Sequence, residues 1–217
     1  MGVKERKEKE KQQRLELILK AAEQVFTVKG FETATVNDVA AEAELGKGTL
    51  YLYFTNKDDI ILALGTGAIV ELHALFQKTA AKHKKGLDQI RALGKAYVDF
   101  CKKNPLKYKL LNFYRVQPIQ PNSHLETPHI MGCHMHSQQL MAFLHSVITK
   151  GIDDRSISKK VDPFITSFML WGVTTGVHQL MHTLGEHLEA DFGLKQAAFL
   201  DYYFDFMESA LKNFGKK

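Results

Sequence analysis

The sequence predicts an all-α fold, a small three-helix head followed by a larger helical body, and three observations carry that prediction. Apolar residues recur at three- and four-residue steps through successive segments, the spacing that lines one face of a helix. No segment of useful length alternates apolar and polar residues as a half-buried strand does. Glycine, proline and side chains able to cap helices fall between the periodic segments, where helices start and stop. The boundary expected from this pattern divides the chain into residues 1–56 and 57–217.

Leu15, Ile18, Leu19, Ala22, Val25 and Phe26 place one apolar stripe on a first helix over about 8–29, which Gly30 ends as a left-handed cap. Val36, Val39, Ala40 and Ala43 form the face of a short second helix, with Thr35 as its N-cap and Asp38 at the positive end of its dipole. After a turn at Glu44-Leu45-Gly46, a third helix runs from Lys47 to Phe54 and is pinned to its neighbours by Leu50 and Phe54. Asn56 and Asp59 repeat the cap pattern and open a long helix over 57–83, ended by Lys84-Lys85-Gly86. Further helices are expected over 87–103, stopped by Asn104-Pro105, and over about 106–116. Pro118, Pro121 and Pro128 mark a loop, and helices follow over about 129–150, ending at Gly151, then 160–187 and 193–213.

Composition narrows the class of protein. Hydrophobic residues at 45% and charged residues at 24% are the balance of a globular protein with a core, and no repeat or low-complexity stretch is evident. No stretch approaches the roughly 18 apolar residues of a membrane span, and the charged start has no apolar segment like that of a signal peptide, so a cytoplasmic protein with no membrane partner is expected. Cys101 and Cys133 are far apart and lack Cys-x-x-Cys spacing, which argues against a disulfide framework or a structural zinc site. The net charge of +5 suits a polyanionic partner without requiring one. Residues 1–14 carry six Lys/Arg against three Glu, either a basic arm or a solvated helix start.

A short second helix, a tight turn and a short third helix form the geometry that lets one helix enter a DNA major groove roughly 12 Å wide. Thr35, Tyr51 and Tyr53 offer hydroxyls, and Lys47 and Lys57 offer ammonium groups, donors that bind phosphate oxygens and fix register on a duplex. Gly48 removes a side chain where backbone approaches DNA, Thr49 can reach a base edge or a phosphate, and Leu52 can sit against a thymine methyl group. Across Thr35 to Lys57, with Lys47-Gly48-Thr49-Leu50-Tyr51-Leu52-Tyr53-Phe54-Thr55-Asn56-Lys57 as its most specific part, the sequence resembles the tetracycline-repressor (TetR) family of transcriptional regulators. The turn departs from the commonest family pattern, Ala-Gly-Val-Ser, in reading Ala43-Glu44-Leu45-Gly46. A non-glycine residue is therefore expected at a strained position, at a cost of order 1 kcal/mol, and Glu44 would repel DNA unless it points away.

That resemblance implies a homodimer whose two heads enter successive major grooves of a palindromic operator, most commonly as a repressor. It also implies that the last two helices of each subunit build a four-helix bundle. Phe164, Gly172, Gly176, Leu180, Phe199, Tyr203 and Phe206 are the interface residues expected there, against the alternative of an ordinary intramolecular core. Family members usually release DNA when a small molecule enters the body. Tyr97, Phe113, Met141, Phe168 and Trp171 are candidates to line an apolar pocket, with His145 or His178 as polar handles, although such residues also serve as plain core. His129, Cys133, His134 and His136 cluster, and His178 and His182 are four apart, but the two groups are distant in sequence and no metal or other cofactor is expected. The chain lacks His-Glu-x-x-His, Glu-x-x-His, a phosphate-binding glycine loop and a nucleophile elbow, which disfavours a helical-bundle metalloenzyme. A remaining alternative keeps DNA binding and makes the body a docking platform for another protein.

Overall fold

In a computed structural model that describes residues 2–116 and 127–215, the chain folds into nine helices with no strand among the described residues. It divides into two compact units, Met1–Val70 with Asn104–His136, and Glu71–Lys103 with Ser137–Lys217. Pro118 and Pro121 of the expected loop lie outside the described residues, whereas Pro128 opens a helix.

The first unit contains α1 (Val3–Thr33), α2 (Val36–Glu42), α3 (Lys47–Tyr51) and α6 (Pro105–Val116), with the first part of α4 (Lys57–Ala80) and of α7 (Pro128–Asp153). Ile18, Ala22, Phe26, Val39, Leu50, Phe54, Ile60, Ile61 and Leu110 form one buried cluster. Burying each large side chain among them contributes roughly 1.5–3 kcal/mol, which is what holds helices as short as α2 and α3. Two expectations for α1 change. It starts at Val3 rather than near residue 8, because the Gly2 N–H donates to Glu5 at 2.9 Å and caps the first turn. Gly30 is not a left-handed cap: at φ 79° and ψ 163° it adopts a glycine-only extended conformation that kinks the chain before one more turn.

The second unit contains α5 (Gly86–Lys103), α8 (Pro163–Phe192) and α9 (Gln196–Asn213), with the remaining parts of α4 and α7. Asp162 caps α8 by accepting from the Ile165 N–H at 2.8 Å, and Gly193, left-handed at φ 65°, terminates it. Gly193 therefore ends a helix where the sequence suggested that one starts. Gly151 also differs from expectation, lying inside α7, where its backbone touches the start of α5. A Cβ on Gly86 would come within 2.3 Å of Gly151 N. The Gly86 N–H donates to Asp154 at 2.7 Å and the Leu87 N–H to Ser156 at 3.1 Å, so residues beyond α7 supply the N-terminal cap of α5. Helix α9 lies on α5 through Arg91, which pairs with Asp205 at 2.5 Å and Glu208 at 2.9 Å, and through Phe204, whose ring occupies the notch left by Gly94. Helix α4 is long and apolar enough, by length and composition, to cross a membrane, against the expectation that no stretch approaches such a span. Its Ile60, Ile61, Ala68, Ile69, Leu72 and Phe76 are buried against the rest of the chain.

Candidate nucleic-acid interface

Helix α2 is fixed at both ends by local chemistry. The Thr35 hydroxyl accepts from the Asp38 N–H at 3.2 Å, while the Asp38 carboxylate accepts from the Thr35 N–H at 2.8 Å, a reciprocal capping box. Lys29 reaches the same carboxylate at 2.6 Å, and this ammonium hydrogen bond, with those from Thr35, holds the Asp38 carboxyl down at about 2. At the other end the Leu45 N–H donates to Ala40 O at 2.9 Å and the Glu44 N–H to Ala41 O at 3.1 Å. This is the Schellman arrangement, and it puts Glu44 at the left-handed position with φ 53°. The sequence expectation of strain in this turn thus has a definite location. Leu45 packs on the head core beside it.

Helix α3 begins at Gly46, whose carbonyl accepts from the Thr49 and Leu50 N–H groups. Leu50 and Phe54 are buried at 0% and 1% exposure, as the spacing predicted, so the opposite face of α3 must point out. Lys47, Gly48, Tyr51 and Leu52 are exposed around this short helix, Leu52 at 81%, and Thr49 is half-buried. The Lys47 ammonium sits 5.8 Å from the centre of the Tyr51 ring. A Cβ placed on Gly48 would meet nothing of the chain within 4 Å, so no internal packing requires glycine there.

Three of the residues assigned to DNA from sequence have internal work. The Thr35 hydroxyl is engaged in the capping box. Tyr53 is half-buried against the head core. Lys57 donates to Phe31 O at 2.7 Å, Ala34 O at 3.1 Å and Glu32 O at 3.4 Å, so its charge completes the carbonyl end of α1. Sequence reasoning missed His129 altogether in this setting. Its ring stacks on Phe54 at 4.8 Å, directly behind α3, and its Nε2 lies 3.4 Å from Tyr53 O. Thr127, just ahead of it in the chain, donates to the buried Asp59 at 2.7 Å.

The second unit holds a cavity of about 60 Å³ whose walls include Phe76, Tyr97, Leu144, Trp171, Thr174, Tyr203 and Phe204, with Arg91 and Glu208 as its charged members. Ligand pockets usually measure roughly 300–1,000 Å³, so these walls must part to admit a full-sized effector. Tyr203 and Thr174 hydroxyls meet at 2.6 Å, and burial pushes the Tyr203 phenol above its ordinary range. The Tyr97 and Thr175 hydroxyls lie 3.2 Å apart. Of the pocket residues expected from sequence, Tyr97 and Trp171 line this cavity. Met141, His145 and His178 are not among its walls, although the His178 ring lies 6.4 Å from that of Tyr97. Burial, and secondarily the neighbouring His182 and Lys102, pushes His178 below its ordinary value. Phe113 packs on Phe31 in the first unit, and Phe168 is exposed beside Phe164 on α8. Tyr203 belongs to the cavity wall rather than to an outer face; its neighbour Tyr202 is the exposed one, stacked on Phe206. Phe164, Gly176, Leu180 and Phe206 are exposed, and Gly172 and Phe199 are half-buried. Among the described residues no three His, Cys, Asp or Glu side chains converge as metal ligands.

A capped helix-turn-helix whose last helix is anchored by two buried side chains and presents a cation, a tyrosine and a bare glycine outward defines a DNA-binding transcriptional regulator. Residues 18–64 match the model of the family described as bacterial regulatory proteins, tetR family. That match covers the helix-turn-helix head and marks it as similar to the DNA-binding part of that family. It is 26% identical over 158 residues to the HTH-type transcriptional regulator YhgD of Bacillus subtilis, itself uncharacterized, across 72% of this chain and 78% of that one. It is 33% identical over 84 residues to the fatty acid metabolism regulator protein of the same species, across 36% of this chain and 43% of that one. The crystal structure of the regulator FadR from Bacillus subtilis in complex with stearoyl-CoA shares the fold, with a TM-score of 0.67 at 16% identity over 89% of this chain and 97% of that one.

Proposed function

We propose that the chain is a homodimeric, cytoplasmic repressor that holds a palindromic operator through α3 and releases it when a small apolar effector enters the second unit. The observation that carries this reading is the outward face of Lys47, Gly48, Thr49, Tyr51 and Leu52, held in place by buried Leu50 and Phe54. Lys47 and the Tyr51 hydroxyl would take phosphate oxygens, and Thr49 and Leu52 would face the bases. Thr35, Tyr53 and Lys57 would act by positioning α2 and α3, given the internal bonds and packing described above. The domain division we favour keeps 1–56 as the DNA-binding part and 57–217 as the part that binds effector and partner.

An effector is supported by the apolar cavity, and its class by a relative described as a fatty acid metabolism regulator and by a structure of the same fold solved with stearoyl-CoA. Helices α4 and α7 contribute Phe76 and Leu144 to the cavity and also run into the first unit, so movement of those walls has a continuous route toward the head. Release requires the effector to bind the open-cavity state more tightly than the DNA-bound one. Dimerisation is supported by exposed Ile165, Phe168, Met169, Val173, Leu180 and Leu184 on one face of α8, where Gly172 and Gly176 leave room for a close partner. Selection of duplexes from a random pool, followed by affinity measurement across salt, tests the reading. Lys47→Ala with Tyr51→Ala should abolish selected binding with helicity intact, and Val173→Glu should give monomers by sedimentation. Retained, salt-insensitive affinity in the double variant would refute it.

A further inference from the structure

The first turns of α1 precede the stretch matched by the family model, and residues 3–14 are all exposed. On this helix Lys4, Lys7, Lys11 and Arg14 follow steps of three, four and three, which places four cations on one line. The next steps along that line reach Ile18, Ala21 and Val25, all buried. Over the two heptads from Lys4 to Ile18 a straight helix drifts by only about 40°, so both sets occupy one face. The same face of α1 is therefore cationic where the helix overhangs the head and apolar where it packs on the head.

The acidic residues of the segment, Glu5, Glu8 and Glu10, fall off this line. The helix is supported on its other faces, by Glu5 accepting from Gly2, by the Arg6–Glu10 pair at 2.9 Å, and by Gln12 donating to Glu16 at 2.9 Å. Like charges at three- and four-residue spacings repel and weaken a helix, so the stripe works against the segment's own stability until a polyanion lies along it. The buried line of α1 faces the core that α2, α3, α4 and α6 share with it, and Lys47, Tyr51 and Leu52 are exposed around α3. The overhanging stripe therefore continues the face of α1 that packs on the core from which α3 presents these residues. Lys4 to Arg14 spans about 15 Å of helix, a length over which duplex DNA carries roughly nine phosphates.

We propose that Lys4, Lys7, Lys11 and Arg14 form a second DNA-contacting surface that lies along the sugar–phosphate backbone flanking the half-site held by α3. The proposal rests on the DNA-binding reading of the head and adds affinity without adding sequence preference. The test uses the full chain and a labelled random-sequence duplex of about 40 base pairs, long enough for two heads and their flanks. Anisotropy titrations from about 50 to about 200 mM salt give the log–log slope. The combined variant Lys4→Gln, Lys7→Gln, Lys11→Gln and Arg14→Gln should flatten the slope by roughly 1 for each phosphate no longer neutralised and weaken binding at least about tenfold at the lowest salt. Glutamine keeps helix propensity, and circular dichroism checks that helicity is unchanged. Lys11→Gln should flatten the slope and Lys9→Gln, on the opposite face, should not. An unchanged slope in the combined variant, with a flattened slope in Lys47→Ala, overturns the stripe and leaves the head intact. Unchanged slopes in both overturn the DNA-binding reading on which the stripe depends. Equal effects of Lys9→Gln and Lys11→Gln overturn the argument from facing, and stripe-dependent capture on phosphatidylserine vesicles with an unchanged DNA slope reassigns the surface to a membrane.

Discussion

Replacing Glu44 by glycine should stabilise the head while leaving its architecture unchanged. Glu44 occupies the left-handed position of the turn between α2 and α3 at φ 53°, and that conformation costs an L-residue roughly 1–2 kcal/mol. Glycine removes this cost and returns about 0.4–1 kcal/mol through the greater freedom of the unfolded chain, for a net gain of roughly 0.5–1 kcal/mol. The Glu44 and Leu45 N–H bonds to Ala41 and Ala40 are main-chain bonds and survive the change. Hydrogen exchange at the Leu50 and Phe54 amides, which donate to Gly46 O and Leu50 O, reports opening of the head itself. Exchange should slow by roughly two- to fivefold where opening of the head controls it. Glu44→Gln separates strain from charge, since it keeps the left-handed cost and removes the negative charge. It should leave exchange rates unchanged while raising DNA affinity, whereas Glu44→Gly should slow exchange and raise DNA affinity together. Faster exchange in the glycine variant would refute the account of the turn.

Three further outcomes follow from other parts of the molecule. Lys57→Met removes the cation from the Phe31 and Ala34 carbonyls and should cost about 1.5–3 kcal/mol, read as a lower urea midpoint, with DNA affinity reduced only as far as folding is. Gly86→Ala drives a Cβ into the Gly151 backbone, which cannot rotate away, and should cost more than the about 1–3 kcal/mol typical of overpacked side chains; differential scanning calorimetry measures it, and an unshifted transition contradicts the close approach. Asp38, held at about 2 by Lys29 and Thr35, has a folded value below that of an unfolded aspartate near 4. Its contribution is therefore complete above about pH 4 and is lost as pH falls toward 2, so Asp38→Asn should flatten acid unfolding over that window and leave no such step to titrate.

What the sequence made legible was what neighbouring residues decide among themselves. The Thr35–Asp38 box, the Asn56 cap and the inward turn of Leu50 and Phe54 all follow from side chains three or four residues apart, and each is found in the structure. Glycine was harder, because its letter signals freedom without stating its use. Gly30 kinks a helix, Gly193 caps one, Gly94 admits the ring of Phe204 and Gly86 admits the backbone at Gly151, and the last two depend on partners more than 60 residues away. Distance along the chain also hides Lys57 on the end of α1 and His129 on Phe54. On α9, three-to-four periodicity could group Tyr203 with the interface residues, but only the docking of Arg91 and Phe204 on α5 decides that Tyr203 turns inward and Tyr202 outward. A recognition helix is readable because its core packing and its exposed face are set within two turns of chain. The apolar cavity of the second unit is assembled from five helices whose meeting points no local pattern records, and its residues can be recognised only once the helices have been brought together.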